Sequence, residues 1–104
     1  MNVKETIRDT LTKYYPKDGK ALLFGSQARG DSNPDSDWDI LLLLNKNGHA
    51  TDKDYRDYAY PLVELGLSIN QQINPLVYTM EDWEKRSFTP FYHNVTTESI
   101  ELCH

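Results

Sequence analysis

The chain has 104 residues, of which 38% are hydrophobic, and its 11 basic and 16 acidic side chains give a formal charge of −5. This length fits one core, so we expect residues 1–104 to form a single domain. No apolar run reaches the roughly 18 residues of a membrane span, and the acidic balance argues against a protein that mainly grips a nucleic-acid backbone. The N-terminal residues lack the apolar segment of a secretory signal, so we expect a cytoplasmic protein.

Helix and strand patterns alternate in the first half of the chain. Apolar residues spaced by three or four positions predict an amphipathic helix over residues 3–15, which Pro16 and Gly19 then end. Two apolar runs predict buried strands, "ALLFG" at 21–25 and "DWDILLLLN" at 37–45. The segment between these strands is rich in glycine, serine and acid, and "FGSQARG" is expected to contain one helical turn.

The second half predicts further elements of both kinds. Thr51 is a good N-cap for a helix that ends near Gly66, with a kink at Pro61. A third strand is predicted within residues 68–79, where Pro75 favours an edge strand or a bulge.

Two helices complete the prediction, over residues 80–86 and 89–102. The resulting order α-β-β-α-β-α-α predicts an α/β or α+β fold in which helices flank a small mixed β-sheet.

Two carboxylates lie at the start of the second predicted strand. Side chains at positions i and i+2 of a strand point to the same face, so Asp37 and Asp39 are expected side by side. Such a pair repels itself unless a cation compensates the charge. Mg²⁺ suits it, because this ion is usually held by one or two carboxylates together with substrate phosphate oxygens and water.

The segment before the acids is suited to binding phosphate. Gly25 allows a close approach of the backbone, and the free N–H groups of a helical turn bind phosphate. The Ser26 hydroxyl adds a donor, and Arg29 supplies a positive charge nearby. Together with the acid pair, these residues favour metal-assisted nucleotidyl transfer.

The stretch "GSQARGDSNPDSDWDILL" resembles the signature of the polymerase-beta-like nucleotidyltransferase superfamily. The matching parts are Gly-Ser, then Ala-Arg-Gly, then Ser-Asp-X-Asp before an apolar strand. The resemblance implies the palm-like fold of that superfamily, an NTP substrate (with ATP expected) and Mg²⁺. It also implies that Gly25 and Ser26 contact the triphosphate, that Asp37 and Asp39 hold metal, and that Arg29 orients the loop or the phosphates.

One position departs from the family pattern. Active members usually carry a third carboxylate on a later strand, and the matching position here is Asn74. An amide oxygen can ligate a metal, but an amide brings no charge and cannot act as a base at neutral pH. Glu64 and Glu81 are alternative acids from nearby elements. We therefore count Asn74 with Asp37 and Asp39 as the candidate catalytic residues.

Three functional hypotheses remain open from the sequence. The length resembles that of minimal nucleotidyltransferases, which often pair with a small helical protein of the HEPN type in toxin–antitoxin modules. The first hypothesis is thus an enzyme that transfers a nucleoside monophosphate to a hydroxyl, with a partner tyrosine as the suggested acceptor. The second is a catalytically impaired module that binds a partner. The third, a simple cation-binding turn in an unrelated protein, does not explain the Gly-Ser and Ala-Arg-Gly segments.

The tyrosine-rich helix and the apolar C-terminal segment also suggest a homo-oligomer.

Overall fold

The structure is a computed structural model that describes residues 2–31, 33 and 35–103. Ser32 and Pro34 of the motif lie outside the described residues, as do both terminal residues. The elements are α1 (Val3–Tyr14), β1 (Lys20–Phe24), α2 (Ser26–Arg29), β2 (Trp38–Leu44), α3 (Asp52–Asp54), α4 (Tyr60–Ile69), β3 (Ile73–Thr79), α5 (Met80–Lys85), α6 (Pro90–Glu98) and β4 (Ile100–Cys103).

The four strands form one mixed sheet in the order β3-β2-β1-β4. β2 pairs in parallel with β3, whereas β1 pairs antiparallel with both β2 and β4. Helices flank the sheet, so the predicted α+β fold with a small mixed sheet is confirmed. β3 lies at an edge, as the proline within it predicted, because Pro75 has no N–H with which to pair on a second side.

The two faces of the sheet are covered by different helices. One face packs against α1 and α4 in a cluster that includes Ile7, Leu11, Leu23, Ile40, Leu42 and Leu62. The other face packs against α5 and α6, where Leu41 and Leu43 meet Trp83 and Val95. Because alternate residues of a strand share a face, Asp39 lies on the α5–α6 face with Leu41.

The second predicted helix ends later than the sequence suggested. Gly66 does not end it: α4 continues to Ile69, and Asn70 caps it with φ 57°. Gly66 is instead required for packing, since a Cβ there would lie 2.6 Å from the Gln71 carbonyl oxygen. The third strand accordingly begins only at Ile73.

The kink expected near Pro61 takes the form of a wider helical turn. Residues Tyr55–Ala59 form a π-helical turn between α3 and α4, and the Tyr60 N–H donates to the Tyr55 carbonyl. A proline near the start of α4 has no N–H to donate, so a locally altered hydrogen-bond pattern is expected there. In the described part of the chain, no helix is long and apolar enough to cross a membrane.

The predicted last helix over residues 89–102 is wrong in its last four residues. α6 ends at Glu98, Ser99 is extended with φ −71° and ψ 154°, and Ile100–Cys103 forms β4 against β1. Its side chains alternate between the two sides of the strand, with Leu102 in the core of the α1 face and Glu101 exposed. Pairing with a strand far away in sequence decided this segment, which a local helical pattern cannot reveal.

Candidate active site

The predicted site residues meet at the end of the sheet where β1 finishes and where β2 and β3 begin. The register pairs Asp39 with Phe24 on one side and with Asn74 on the other. Asp39 therefore lies on a central strand between the glycine turn that follows β1 and the amide on β3. Asp37 precedes β2 by one residue and is exposed, whereas Asp39 is half-buried.

The side chain of Asn74 joins the two carboxylates. Its Nδ2 group donates to Asp37 Oδ2 at 3.0 Å and to Asp39 Oδ1 at 3.4 Å. The two acids thus converge on one point, where a partly positive amide group now offsets their charge. The family pattern places a third carboxylate, which accepts hydrogen bonds, at this position. Asn74 instead presents its N–H₂ group to the two acids, and this group can only donate.

Gly25 is in direct contact with the acid pair. Its φ is +77°, which favours glycine, and a Cβ on it would collide with the Asp39 carboxylate. A side chain at position 25 would therefore force the Asp39 carboxylate to move. Gly25 therefore has two roles: it allows the turn after β1, and it lets the backbone come close to the Asp39 carboxylate.

The turn after Gly25 is the short helix expected from the sequence. The Gly25 carbonyl accepts from the N–H groups of Ala28 and Arg29, each at 3.1 Å, and α2 begins at Ser26. The amide at the first helical position has no acceptor within the helix. Within residues 2–31, 33 and 35–103, neither the hydroxyl nor the backbone N–H of Ser26 makes a hydrogen bond.

Arg29 is occupied by two carboxylates. Its Nε donates to Asp31 and one terminal nitrogen donates to Glu98, each at 3.1 Å. The hydrogen bonds that this exposed guanidinium donates to Asp31 and then to Glu98 raise its pKa above the ordinary value. Arg29 thus ties α2 to the end of α6, and its contact with phosphate stays a prediction.

The donor set fits a magnesium ion. Within residues 2–31, 33 and 35–103, Asp37 and Asp39 form no ion pair, and no group of three or more His, Cys, Asp or Glu could hold a metal. Two carboxylates alone are a weak cage, but Mg²⁺ commonly takes its remaining ligands from phosphate and water. The pair therefore suits a metal that arrives with a nucleotide.

The two alternative acids lie away from this site. Glu81 follows the far end of β3, where it pairs with Lys85 at 3.2 Å and accepts from the Gly48 N–H at 3.2 Å. Glu64 is exposed on α4, which packs on the opposite face of the sheet from Asp39. Neither acid replaces the carboxylate missing at Asn74.

Sequence reasoning missed two residues that shape the site. Gln72 donates from Nε2 to Asn74 Oδ1 at 2.9 Å and so turns the Asn74 amide group toward the acids. Its position two residues before Asn74 on an extended segment is the signal that could have identified it. Glu98 binds Arg29 from 69 positions away, and nothing local in the sequence indicates this contact.

Comparison with known proteins places the chain in a family. The family model described as nucleotidyltransferase domain matches residues 4–95. Two proteins of Methanocaldococcus jannaschii (strain ATCC 43067) named as candidate protein adenylyltransferases are similar to this chain. One is 35% identical over 101 residues, covering 96% of this chain and 93% of the relative. The other is 29% identical over 100 residues, covering 96% and 94%.

Solved structures show the same fold at lower identity. A toxin–antitoxin crystal structure with AMP-PNP has a TM-score of 0.63 and 21% identity, covering 98% of this chain and 73% of that chain. A mutant of the toxin–antitoxin MntA–HpeT, with two aspartates replaced by glutamates, has a TM-score of 0.59 and 18% identity, covering 95% and 70%. Given the match of the family model to most of its length, the chain belongs to the nucleotidyltransferase domain family.

Proposed function

We propose that this protein binds ATP with Mg²⁺ and transfers the adenylyl group to a hydroxyl of a partner protein. Membership of the nucleotidyltransferase family supports an NTP-using transferase. The two relatives named as protein adenylyltransferases favour adenylyl as the group and a protein as the acceptor.

The contact between the glycine turn and the two converging acids is the main structural support for this proposal. Asp37 and Asp39 reach a common point at Asn74, and Gly25 lies against the Asp39 carboxylate, which a side chain at position 25 would displace. Phosphate oxygens bound at Ser26 would therefore lie beside carboxylates that hold a metal. The substituted aspartates of the MntA–HpeT mutant have the same spacing as this acid pair.

The proposed reaction assigns a role to each residue. The acceptor oxygen bonds to the α-phosphorus, the bond to the bridging oxygen breaks, pyrophosphate leaves, and the hydroxyl proton passes to water. Gly25 and Ser26 bind phosphates through backbone and hydroxyl donors, and Asp37 and Asp39 hold the metal. Bound Mg²⁺ would neutralise phosphate charge in the transition state. Nucleotidyl transfer, like other phosphoryl transfers, depends mostly on positioning and electrostatics, so a missing general base does not preclude it.

The toxin–antitoxin neighbours suggest the kind of partner. Both solved structures are described as toxin–antitoxin assemblies, which supports a toxin–antitoxin partner. That the partner is a helical protein of the HEPN type with a tyrosine hydroxyl as acceptor follows from the family resemblance of the motif and is part of the proposal. The test uses purified protein, Mg²⁺, the product of the adjacent gene, and ATP labelled at either the α- or the γ-phosphate. Transfer of the α label alone is expected, with loss of transfer in Asp37→Asn. Transfer of the γ label, or no transfer at all, would overturn the proposal.

A catalytically impaired partner-binding module is the alternative, and Asn74 favours it because an amide occupies the position of the third acid. The discriminating change is Asn74→Asp, with Asn47→Asp, in the exposed turn after β2, as the matched amide-to-acid control. An inactive wild type that gains adenylyl transfer only through Asn74→Asp would support this alternative. A wild type that already turns over, with no gain from Asn74→Asp, would rule it out.

A further inference from the structure

A cavity of about 240 Å³ opens directly beside the glycine turn, between α2 and α6. Its lining includes Phe24 and Gly25 at the end of β1, Arg29 of α2, and Phe91, Asn94 and Glu98 of α6. Gly25 is shared between this cavity and the proposed phosphate-binding turn. A nucleotide whose phosphates lie at Gly25 therefore has an adjoining space for the rest of the molecule.

The apolar wall of the cavity is aromatic. The rings of Phe24 and Phe91 meet edge to face with their centroids 5.6 Å apart, and the rings of Phe91 and Trp83 also meet edge to face, at 5.8 Å. Phe91 nevertheless keeps 38% of its surface exposed. An exposed ring held by two neighbouring rings is a firm surface on which a nucleobase can stack.

The polar groups around the cavity differ in their availability. The Asn94 side chain has no hydrogen-bond partner among the residues that the structure describes. The Arg29 guanidinium is engaged by Asp31 and Glu98. The amide offers both a donor and an acceptor, whereas the donors of the guanidinium are largely used within the protein.

These polar groups favour adenine over guanine. An Asn amide can pair in two places with the N6 amine and N7 of adenine, because that edge presents one donor and one acceptor. Guanine presents two acceptors on the same edge and is best read by a free guanidinium. Since Arg29 is held by carboxylates and Asn94 is not held, the cavity matches the adenine edge better.

We infer that this cavity binds the base of the nucleotide, with adenine stacked on Phe91 and its edge read by Asn94. This inference rests on the proposed function, because it assumes that the phosphates of an NTP lie at Gly25. It adds the residues that select the base, which the acidic motif does not contain.

The test separates base binding from phosphate binding by calorimetry with Mg²⁺ and three ligands: ATP, GTP and inorganic tripolyphosphate. The variants are Phe91→Leu, which removes the flat ring but keeps an apolar side chain, and Asn94→Leu. Phe88→Leu is the matched control, since Phe88 is 85% exposed and does not line the cavity.

Phe91→Leu is expected to weaken ATP binding about tenfold, because stacking on an aromatic ring is lost. Asn94→Leu is expected to bring the affinities for ATP and GTP within about twofold of each other, because the group that distinguishes the bases is gone. Tripolyphosphate binding should stay within about twofold of wild type in both variants, which also shows that they are folded. Phe88→Leu should bind all three ligands as wild type does.

Two results would overturn the inference, and they differ from a failure of the proposed function. If Asp37→Asn abolishes ATP binding while the Phe91 and Asn94 variants bind ATP and GTP as wild type does, the base lies elsewhere and only this inference fails. If the two variants lose tripolyphosphate as much as ATP, their effect is structural and the inference also fails. A wild type that binds neither ATP nor tripolyphosphate with Mg²⁺ overturns the proposed function and the base site with it.

Discussion

The two ends of the sheet treat their acidic side chains differently. At the end where β2 and β3 finish, which we call the paired end, three acids have cationic partners: Asp54 with Lys46, Glu81 with Lys85, and Asp82 with Arg86. At the opposite end, Arg29 pairs with Asp31 and Glu98, whereas Asp37 and Asp39 form no ion pair within the described ranges and share one amide donor. The fold thus neutralises its acids where they serve structure, and it leaves an acid pair without a cation beside a glycine turn. This difference is what the metal site proposed above requires.

Neutralising one acid at each end of the sheet should reveal the largest functional difference between them. Asp39→Asn should lower adenylyl transfer by about a thousandfold or more, because a metal ion contributes several kcal/mol to the transition state. The same change should leave the free energy of unfolding without Mg²⁺ unchanged or raise it by up to about 1 kcal/mol, since two like charges no longer repel. Transfer assays and urea unfolding measure the two effects.

Asp54→Asn is the matched change at the paired end. It should leave transfer within about twofold of wild type, because Asp54 lies far from the glycine turn. If Asp39→Asn and Asp54→Asn affect transfer equally, the two ends do not differ in function and the comparison fails.

A methyl group at the glycine turn tests the close approach of backbone and acid. Gly25→Ala should reduce transfer by about a hundredfold and destabilise the fold by about 1–3 kcal/mol, because φ is +77° and the new Cβ collides with the Asp39 carboxylate. Gly30→Ala is the control, since φ is +82° but nothing lies within 4 Å of its Cβ. Equal effects of the two changes would mean that backbone strain, not displacement of Asp39, explains the loss.

The smallest expected effect concerns stability and pH at the paired end. Burial opposes the charged form of Asp54, but hydrogen bonds from Lys46 and Thr51 outweigh it, so its pKa lies below the ordinary value. Asp54 also completes a capping box, since its carboxylate accepts from the Thr51 N–H at 2.9 Å. Asp54→Asn should therefore lower the free energy of unfolding by about 1 kcal/mol at pH 7.

This stabilisation should depend on pH in one direction. A carboxyl whose pKa is lowered by folding stabilises the folded state above its unfolded pKa of about 3.9, and the contribution is lost as the pH falls through the folded pKa. The difference in urea stability between wild type and Asp54→Asn should therefore shrink when the pH is lowered from 7 to below 4. A difference that is constant over this range would show that the charge of Asp54 contributes nothing.

The positions of the candidate site residues could be predicted from local patterns, although their roles stay predictions. Asp37 and Asp39 follow from the period of two in a strand, and Gly25 and Ser26 follow from a local turn, so short-range patterns suffice. The facing position of Asn74 required only a parallel neighbour in register, and the structure pairs it with Asp39. These inferences depend on few contacts between distant residues.

The elements that the sequence did not predict depend on distant partners. The segment Ile100–Cys103 becomes a strand because β1, some 80 positions earlier, offers an unpaired edge. Gly66 looks like a helix end but is held inside α4 by close packing against Gln71. Contacts between segments decided both cases, and single-sequence patterns contain no record of them.

Paramagnetic broadening can test directly whether the acid pair binds a cation and the paired end does not. Substoichiometric Mn²⁺ added to isotope-labelled protein should broaden the backbone amide signals of Gly25, Asp39 and Asn74, and an excess of Mg²⁺ should restore them. The amides of Gly48 and Glu81 should keep their intensity throughout. Broadening centred on Gly48 and Glu81, or spread evenly over the chain, would show that the acid pair is not a specific cation site.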